Sequence, residues 1–315
     1  MSTYFLRNTT ESPSLVKRIL GAVLPLTLKR HLLYLKHYRR IGNFKNPTRF
    51  SEKMQWRIIH DRREILRHTC DKRASKRVVL HLAAEAGVEL LAPRQLAWSS
   101  DADALISELR ERYAKGELPE RWVMKPNHSS GRALAVVGVP DWTLLTRAAH
   151  AWLRPSRFSG LHWIWPYVTA DVGLLAEEYV PSSRPPIEWQ LWMMSGRVVY
   201  IVAQQRINDR PSRSIFNDQW RPVEPWYNRE AQPLVLTVPP KNWKKIERVG
   251  RALGGDWDMI RVDIYEDEGG RIWFSELTPF PQEGLFGIGE GASTFDELAG
   301  KAWLLPAPVE EGAGG

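Results

Sequence analysis

Apolar residues recur at helical spacing through most of the first 115 residues. Leu15, Ile19 and Val23 share one helix face, Pro25 interrupts the pattern, and a basic run follows from 29 to 40. This spacing predicts two amphipathic helices, which either cover the protein surface or lie on a membrane surface. Further helices are predicted after 46–48 and through 59, from 75 to 86 and from 103 to 113, with a short strand at 88–91.

The pattern changes to strands from residue 121. β-rich segments at 121–125 and 133–139 flank a loop of small polar residues, and a helix from 142 to 153 leads to a strand at 174–180. Two hairpins follow, with strands at 189–194 and 197–205 and at 260–267 and 272–278, and an amphipathic helix from 241 to 253 lies between them. This order of elements predicts an α/β protein.

The composition is that of an ordinary globular protein. Of 315 residues, 43% are hydrophobic and 25% charged, so the chain can bury a sizeable core. The single cysteine, Cys70, cannot form an internal disulfide, and no Cys/His cluster has zinc-binding spacing. The longest apolar stretch, at 19–28, is too short to span a membrane and has no cleavage pattern after it. We therefore expect a cytoplasmic protein without a signal peptide.

The net charge of +8 implies an anionic partner. Nucleic acid, an anionic membrane surface and small phosphorylated ligands all fit, and the net charge does not choose among them. Fifteen Trp residues are scattered along the whole chain, which favours packing over one stacking platform. For Trp163 and Trp165, stacking on a substrate stays open beside packing.

The last hairpin carries charged residues in a pattern that suggests a cation site. If it folds symmetrically about its two glycines, Asp263 lies opposite Glu276 and Arg261 opposite Thr278, all on one face. Two neighbouring carboxylates repel each other unless a cation lies between them, and Mg²⁺ suits such a pair. Alternatively, the register differs and these are solvated surface charges.

A second candidate site lies where a predicted strand ends at Lys125. The following loop contains Ser129, Ser130 and Gly131, whose backbone N–H groups could close over a phosphate beside the lysine charge. A plain hairpin loop is the alternative. Lys72, which follows Asp71 just before a helix, is a weaker candidate, because a surface ion pair explains that dipeptide equally well.

The strand at 174–180 leads from this small lobe into the second half of the chain. A backbone crossing of this kind can offer one N–H and one C=O to an adenine edge, and Glu188 could then reach a ribose hydroxyl. An ordinary edge strand is the alternative. Ser129 lacks a nucleophile elbow and Cys70 has no base placed near it in the sequence, so a hydrolase is not favoured.

In their order along the chain, these segments resemble the ATP-grasp superfamily. The spacing of Arg261, Asp263 and Glu276 is similar to that in D-alanine:D-alanine ligases, whose last element is Glu-x-Asn where this chain has Thr278 in third place. The TupA-like ATP-grasp family, associated with teichuronopeptide and polysaccharide biosynthesis, is more similar still. Its resemblance covers about 30–305 and is carried by NPTRFSEK at 46–53, LPERWVMKPNHSSG at 118–131 and RVDIY at 261–265.

The resemblance implies a role for each matching residue. ATP would contact Lys72 and Lys125 through its phosphates, a flexible lid at 127–131 (His128, Ser129, Ser130, Gly131), an adenine hinge of Glu177, Glu178, Tyr179 and Val180, and Glu188 through its ribose. Mg²⁺ would be bound by Asp263, Glu276 and Thr278. Arg261 and Arg206 would stabilise the transferring phosphoryl group and an acyl-phosphate. TupA-like chains tend to have Asp-Tyr-Lys where this chain has Glu188-Trp189-Gln190, and Thr278 replaces the metal-binding Asn of the superfamily.

The fold implied is an α/β ATP-grasp fold of three lobes. They would comprise a helical and α/β N-terminal lobe at 1–115, a lid lobe at 116–175 and a C-terminal catalytic lobe at 176–305, followed by a flexible tail at 306–315. The cofactors would be ATP and Mg²⁺.

The implied reaction is ATP-dependent ligation of a carboxylate to an amine through an acyl-phosphate, in polysaccharide, peptide-conjugate or natural-product biosynthesis. The substrates would be small molecules, glycan-linked or phosphorylated among them, with no nucleic acid; contact of the basic N-terminus with a membrane is a further option. Two alternatives are an ATP-grasp kinase acting on a hydroxyl of a sugar or other small molecule and a non-catalytic carbohydrate- or membrane-binding protein. The ordered set of ATP residues argues against the last, whereas the sequence does not exclude the kinase.

Overall fold

The computed structural model describes residues 3–8, 21–154, 160–182, 186–207, 210–226, 231–236 and 238–306. Within these ranges the chain is a mixed α/β protein with two largely antiparallel sheets. Its contacts divide it into two compact units. Unit 1 combines 1–29, 64–186 and 264–277, and unit 2 combines 30–63, 187–263 and 278–315. The three-lobe division with boundaries at 115 and 175 stays a prediction.

The helices are α1 Leu26–Tyr38, α2 Phe50–His60, α3 Ile65–Cys70, α4 Lys72–Glu85, α5 Ala102–Ala114, α6 Trp142–Leu153, α7 Trp165–Thr169, α8 Trp243–Gly254 and α9 Glu290–Ala302, with a 3-10 turn at Pro281–Gly284. The strands are β1 Tyr4–Asn8, β2 Gln95–Ser99, β3 Arg121–Pro126, β4 Arg132–Val137, β5 Leu174–Glu178, β6 Ile187–Met194, β7 Arg197–Ile207, β8 Arg210–Asn217, β9 Gln232–Pro233, β10 Met259–Glu266 and β11 Ile272–Thr278. Within the described ranges, no helix is long and apolar enough to cross a membrane.

Unit 1 is built around a five-stranded sheet in the order β1–β4–β3–β5–β2. Its core contains Trp122 and Met124 from β3 and Leu145, Ala149 and Trp152 from α6. The three α6 residues are spaced by four and three positions, so one apolar helix face meets the sheet. Because β5 pairs with β3 on one side and β2 on the other, it is an interior strand, and the edge-strand alternative for 174–180 is wrong.

Unit 2 contains most of a second sheet, in the order β11–β10–β6–β7–β8–β9. Its core is aromatic: Trp226 stacks on Phe295 with ring centroids 4.2 Å apart, and Phe50 and Trp192 meet the same Phe295 ring edge-on. Across the two units the fully buried tryptophans are Trp122, Trp152, Trp189, Trp192, Trp226 and Trp303. For these six, the prediction that tryptophan serves packing is confirmed.

Most of the predicted elements form. The hairpin turn at Ser195-Gly196 is present, and both residues adopt the positive φ that a two-residue hairpin turn requires. The predicted strand at 88–91 is wrong: only Leu91 forms an isolated bridge, to Trp273, and Pro93 soon afterwards has no N–H to extend a ladder. Most of the first predicted N-terminal helix, and the tail beyond 306, lie outside the described residues.

Candidate functional site

In unit 1, the Asp71 carboxylate fixes the start of α4. Its Oδ1 accepts from the backbone N–H groups of Arg73 and Ala74, at 2.9 and 2.8 Å, which makes Asp71 a helix N-cap. The interpretation of Asp71-Lys72 as a surface ion pair is therefore wrong. Since Asp71 is buried and its side chain is used by the helix, Lys72 begins α4 in a fixed place.

The same carboxylate anchors the small-residue loop through Asn127. The Asn127 side-chain amide donates to Oδ2 of Asp71 at 2.7 Å and to the carbonyl of Asp171 at 2.9 Å, and its oxygen accepts from the N–H of Arg73. Asn127 is fully buried, and its bond to Asp71 is shielded from water, whereas the other two bonds are partly buried. The start of α4 and the loop after β3 are thus held together.

We expect Asp71→Ala to lower the free energy of unfolding by about 2 to 3 kcal/mol, since it removes a cap and leaves the buried Asn127 amide short of an acceptor. Asp101→Ala is the control, because Asp101 is an exposed cap of α5 that accepts from one backbone N–H, and its loss should lower the free energy of unfolding by about 1 kcal/mol. Urea unfolding of both variants measures the difference. Equal losses would show that the contact with Asn127 adds nothing.

Lys72 reaches from α4 to this loop. Its ammonium group donates to the backbone carbonyl of Ser129, and the side chain is half-buried. Burial lowers the pKa of the Lys72 ammonium below its usual value; Glu276 opposes this shift and Lys125 adds to it. Lys72, Lys125 and Glu276 are therefore close enough to interact electrostatically, although they are far apart in sequence.

Lys76 and Lys125 share one buried carboxylate, that of Glu177. Lys76 lies one turn after Lys72 on the same face of α4, and Lys125 lies on β3 diagonally opposite Glu177 of β5. Burial would raise the pKa of the Glu177 carboxyl, but the two lysines outweigh this effect and hold that pKa below its usual value. We call Lys72, Lys76, Lys125 and Glu177 the lysine cluster.

Two further groups beside the lysine cluster are uncharged near neutral pH. Burial and the nearby charge of Glu276 raise the pKa of the Cys70 thiol. Burial, together with Lys72 and Arg132, lowers the pKa of His128 to about 4, and the imidazole Nδ1 accepts from the backbone N–H of Gly173 at 3.4 Å. Lysine and arginine side chains, and not His128, thus supply the positive charge here, and the structural interpretation of Cys70 fits a buried, protonated thiol.

The segment predicted to be an adenine hinge has two of its backbone donors already in use. The N–H of Glu178 donates to the carbonyl of Arg94 at 3.0 Å, and that of Tyr179 to the carbonyl of Arg121 at 3.3 Å. Glu177 lies within the sheet, and its side chain belongs to the lysine cluster. These three residues could therefore contact an adenine only through their backbone carbonyls or through apolar parts of their side chains.

In unit 2, Arg261 and Asp263 form a buried ion pair. Nε of Arg261 donates to Oδ1 of Asp263 at 2.7 Å, Nη2 donates to Oδ2, and the same Nη2 donates to the hydroxyl of Thr278 at 3.2 Å. Asp263 has no exposed surface, so the alternative of a solvated surface charge is wrong for it. The contact between Arg261 and Thr278 agrees with the predicted placement of these two residues opposite each other on the hairpin.

Glu188 lies in a row of polar side chains that crosses three strands of unit 2. It is directly opposite Gln204 on β7, which is directly opposite Arg213 on β8. Gln204 donates to the Glu188 carboxylate, and its oxygen accepts from Arg213. Arg206 lies further along β7, opposite Pro211 in the backbone ladder, and its side chain is outside the described part of the structure.

The predicted metal ligands provide the oxygen donors that Mg²⁺ prefers. In this structure, however, both oxygens of Asp263 are engaged by Arg261. Among the described residues no three His, Cys, Asp or Glu side chains are grouped as a metal site, and the predicted set contains only two carboxylates. The donor type therefore fits the ion, and a cation at Asp263 would share that carboxylate with Arg261.

The sequence predicted Lys72, Lys125, Glu177 and Glu188 as site residues but missed Lys76, Gln204 and Arg213. Lys76 could have been found from its spacing of four from Lys72 on a predicted helix. Gln204 and Arg213 depend on strand register, which the sequence pattern does not specify at these positions.

This chain is similar to several proteins of known structure. No family model and no curated protein matches this chain. The D-cycloserine synthetase DcsG is 17% identical over 75% of this chain and 71% of its own, with a TM-score of 0.40. D-alanine–D-alanine ligase from Bacillus anthracis, complexed with ATP, is 16% identical over 74% and 61%, with a TM-score of 0.41.

A third similar structure is the ATP-grasp ligase PsnB complexed with a minimal precursor, 15% identical over 72% of this chain, with a TM-score of 0.34. This chain spans 61% of the length of PsnB. None of these three structures reaches a TM-score of 0.5, and the membership of this chain in the ATP-grasp superfamily stays a prediction from its motifs.

Proposed function

We propose that this protein is an ATP-dependent ligase of the ATP-grasp type, which joins a carboxylate to an amine. The observation that carries the proposal is the lysine cluster, in which residues from α4, β3 and β5 meet beside the loop at 127–131. Three lysines near the carboxylates of Glu177 and Glu276 leave an excess of positive charge in a largely buried place, which suits a polyphosphate.

Each residue set has one task in the proposal. Lys72 and Lys125 bind ATP phosphates, with the backbone N–H groups of Ser130 and Gly131 as further donors. Val180 is the hinge residue whose N–H we assign to the adenine edge, since Glu178 and Tyr179 already donate elsewhere. Glu188 binds the ribose, held in place by Gln204. Asp263 and Glu276 bind Mg²⁺, which would neutralise phosphate charge when bound.

The reaction has two steps. A carboxylate oxygen of the substrate attacks the γ-phosphorus of ATP, the bond to the bridging oxygen breaks, and ADP leaves. The amine then attacks the acyl carbon, loses a proton, and phosphate leaves with the bonding electrons. Arg261, and with it Arg206, stabilises charge on the transferring phosphoryl group, and dividing the reaction replaces one difficult step with two easier ones.

Hydroxylamine tests the proposal directly, since it intercepts an acyl-phosphate as a hydroxamate. With Mg-ATP and a panel of amino acids and amino sugars, we expect ADP release that depends on a carboxylate, and hydroxamate in place of product. Lys125→Gln should lower the rate roughly 100-fold or more, because a preorganised contact to phosphate charge is lost. Lys115→Gln, an exposed lysine paired with Glu111 on α5, is the control and should keep the wild-type rate.

A kinase is the alternative activity, because it would use the same ATP-binding residues. It would release ADP and leave a stable phosphoester on a hydroxyl, without hydroxamate from any substrate. A folded sample whose melting temperature is unchanged by millimolar Mg-ATP would contradict both activities, since a ligand of the native state raises that temperature.

A further inference from the structure

The net positive charge of this chain comes from one stretch. Residues 12–51 contain nine Lys or Arg and no Asp or Glu, while the whole chain has a net charge of +8. All other residues together are therefore close to neutral. The described part of this stretch contains α1, the turn that follows it and the beginning of α2.

Helix α1 presents leucines to solvent along one face. Leu28, Leu32 and Leu35 are each 45% exposed, and their spacing of four and three residues aligns them in one stripe. The opposite face is buried through Leu33 and Tyr34. The exposed leucines therefore lie on the helix face that points away from the buried one.

Basic side chains border this leucine stripe, but not all of the basic residues of α1 are available to a partner. Arg30 is fully buried against Glu283, and Lys29 is buried with its ammonium on the carbonyl of Gly21. Lys36, Arg39 and Lys45 are exposed at the carboxyl end of the helix and in the turn after it. On α1 the exposed Lys36 therefore lies one turn from Leu32, and two further exposed cations follow in the segment after the helix.

We propose that α1 docks on an anionic lipid surface. The leucine stripe would enter the boundary between headgroups and acyl chains, while Lys36, Arg39 and Lys45 contact lipid phosphates. Nucleic acid would satisfy the cations but leave the leucines in water. A second copy of this chain would bring two strongly basic stretches together, which charge repulsion disfavours.

Vesicle flotation of the full chain tests the proposal. We expect binding to vesicles of phosphatidylglycerol and phosphatidylcholine, much weaker binding to phosphatidylcholine alone, and loss of binding as salt is raised. The variant Lys36→Gln/Arg39→Gln/Lys45→Gln should bind roughly 100-fold more weakly. The control Arg147→Gln/Lys241→Gln/Lys301→Gln removes the same number of exposed charges elsewhere and should bind like the wild type.

A second pair of variants tests the leucines. Leu28→Ser/Leu32→Ser/Leu35→Ser should bind about 10-fold more weakly or worse, while its control, which replaces the exposed Leu80, Leu298 and Leu304 by Ser, should not. Absence of flotation at low salt, equal binding to neutral vesicles, or equal losses in variant and control would overturn the proposal. So would a dimer that only the α1 leucine variant dissociates, or tighter binding to duplex nucleic acid than to anionic vesicles.

Discussion

Replacing Arg261 with methionine should lower the free energy of unfolding by about 3 to 5 kcal/mol, because it removes the guanidinium that engages both oxygens of the fully buried Asp263. The double variant Arg261→Met/Asp263→Leu should regain most of this loss, since no buried charge then needs a partner. Urea unfolding measures both. Thr278→Val removes only the 3.2 Å contact and should cost about 1 kcal/mol.

The same variants separate stability from catalysis. If Arg261 stabilises the transferring phosphoryl group and Asp263 binds Mg²⁺, the double variant lacks both groups and should fold well yet still lose at least about 10²- to 10³-fold in hydroxamate formation. Activity that returns together with stability would assign the Arg261–Asp263 pair to folding alone. A loss below 1 kcal/mol in Arg261→Met would contradict the buried ion pair itself.

Replacing Glu177 with glutamine should also lower the free energy of unfolding by about 3 to 5 kcal/mol at neutral pH. The reason is that Lys76 and Lys125 of unit 1 then lie in a buried place without a carboxylate. Glu178→Gln is the matched control. Its carboxylate pairs with Arg94 at 2.7 Å in a partly exposed place, so the change should stay within about 1 kcal/mol.

The Glu177 effect should depend on pH in a definite direction. The pKa of this carboxyl is lower in the folded chain than the usual 4.5 of a glutamate. Its contribution to the free energy of unfolding is therefore complete above pH 4.5 and is lost as the pH falls through the folded pKa. Unfolding measured from pH 7 downwards should therefore show the wild type approaching Glu177→Gln. A constant difference down to the acid transition would show that Glu177 acts through packing and not through charge.

Periodicity predicted the elements whose buried faces are regular and apolar. Helix α6 and the two predicted hairpins form as expected, since each has one continuous hydrophobic face. Strand β8 was not predicted because its sequence, RPSRSIFN, shows no alternation; its pairing along β7 specifies it instead. Helix α9 was missed for a related reason, since two of its buried positions, Ala292 and Ala299, are too small to give a clear pattern.

For the site, the sequence could identify residue types but not their partners. The hairpin pattern correctly grouped Arg261 with Asp263 and Thr278. From the same pattern we considered the repulsion between Asp263 and Glu276 and not the attraction between Arg261 and Asp263. Residues two apart on a strand share a face, so the ion pair of Arg261 with Asp263 was within reach of the same reasoning. The role of Glu177 could not be predicted, because it depends on α4 and β3 meeting β5, which only the packed structure specifies.

Cys70 gives the chain an intrinsic reporter. It is the single thiol, it is buried, and its raised pKa keeps it protonated and unreactive in the folded state. It also ends α3 directly before Asp71, next to the segments that hold the lysine cluster. Reaction of this thiol with a labelling reagent therefore requires opening of unit 1, and the labelling rate records how often that part of the molecule opens.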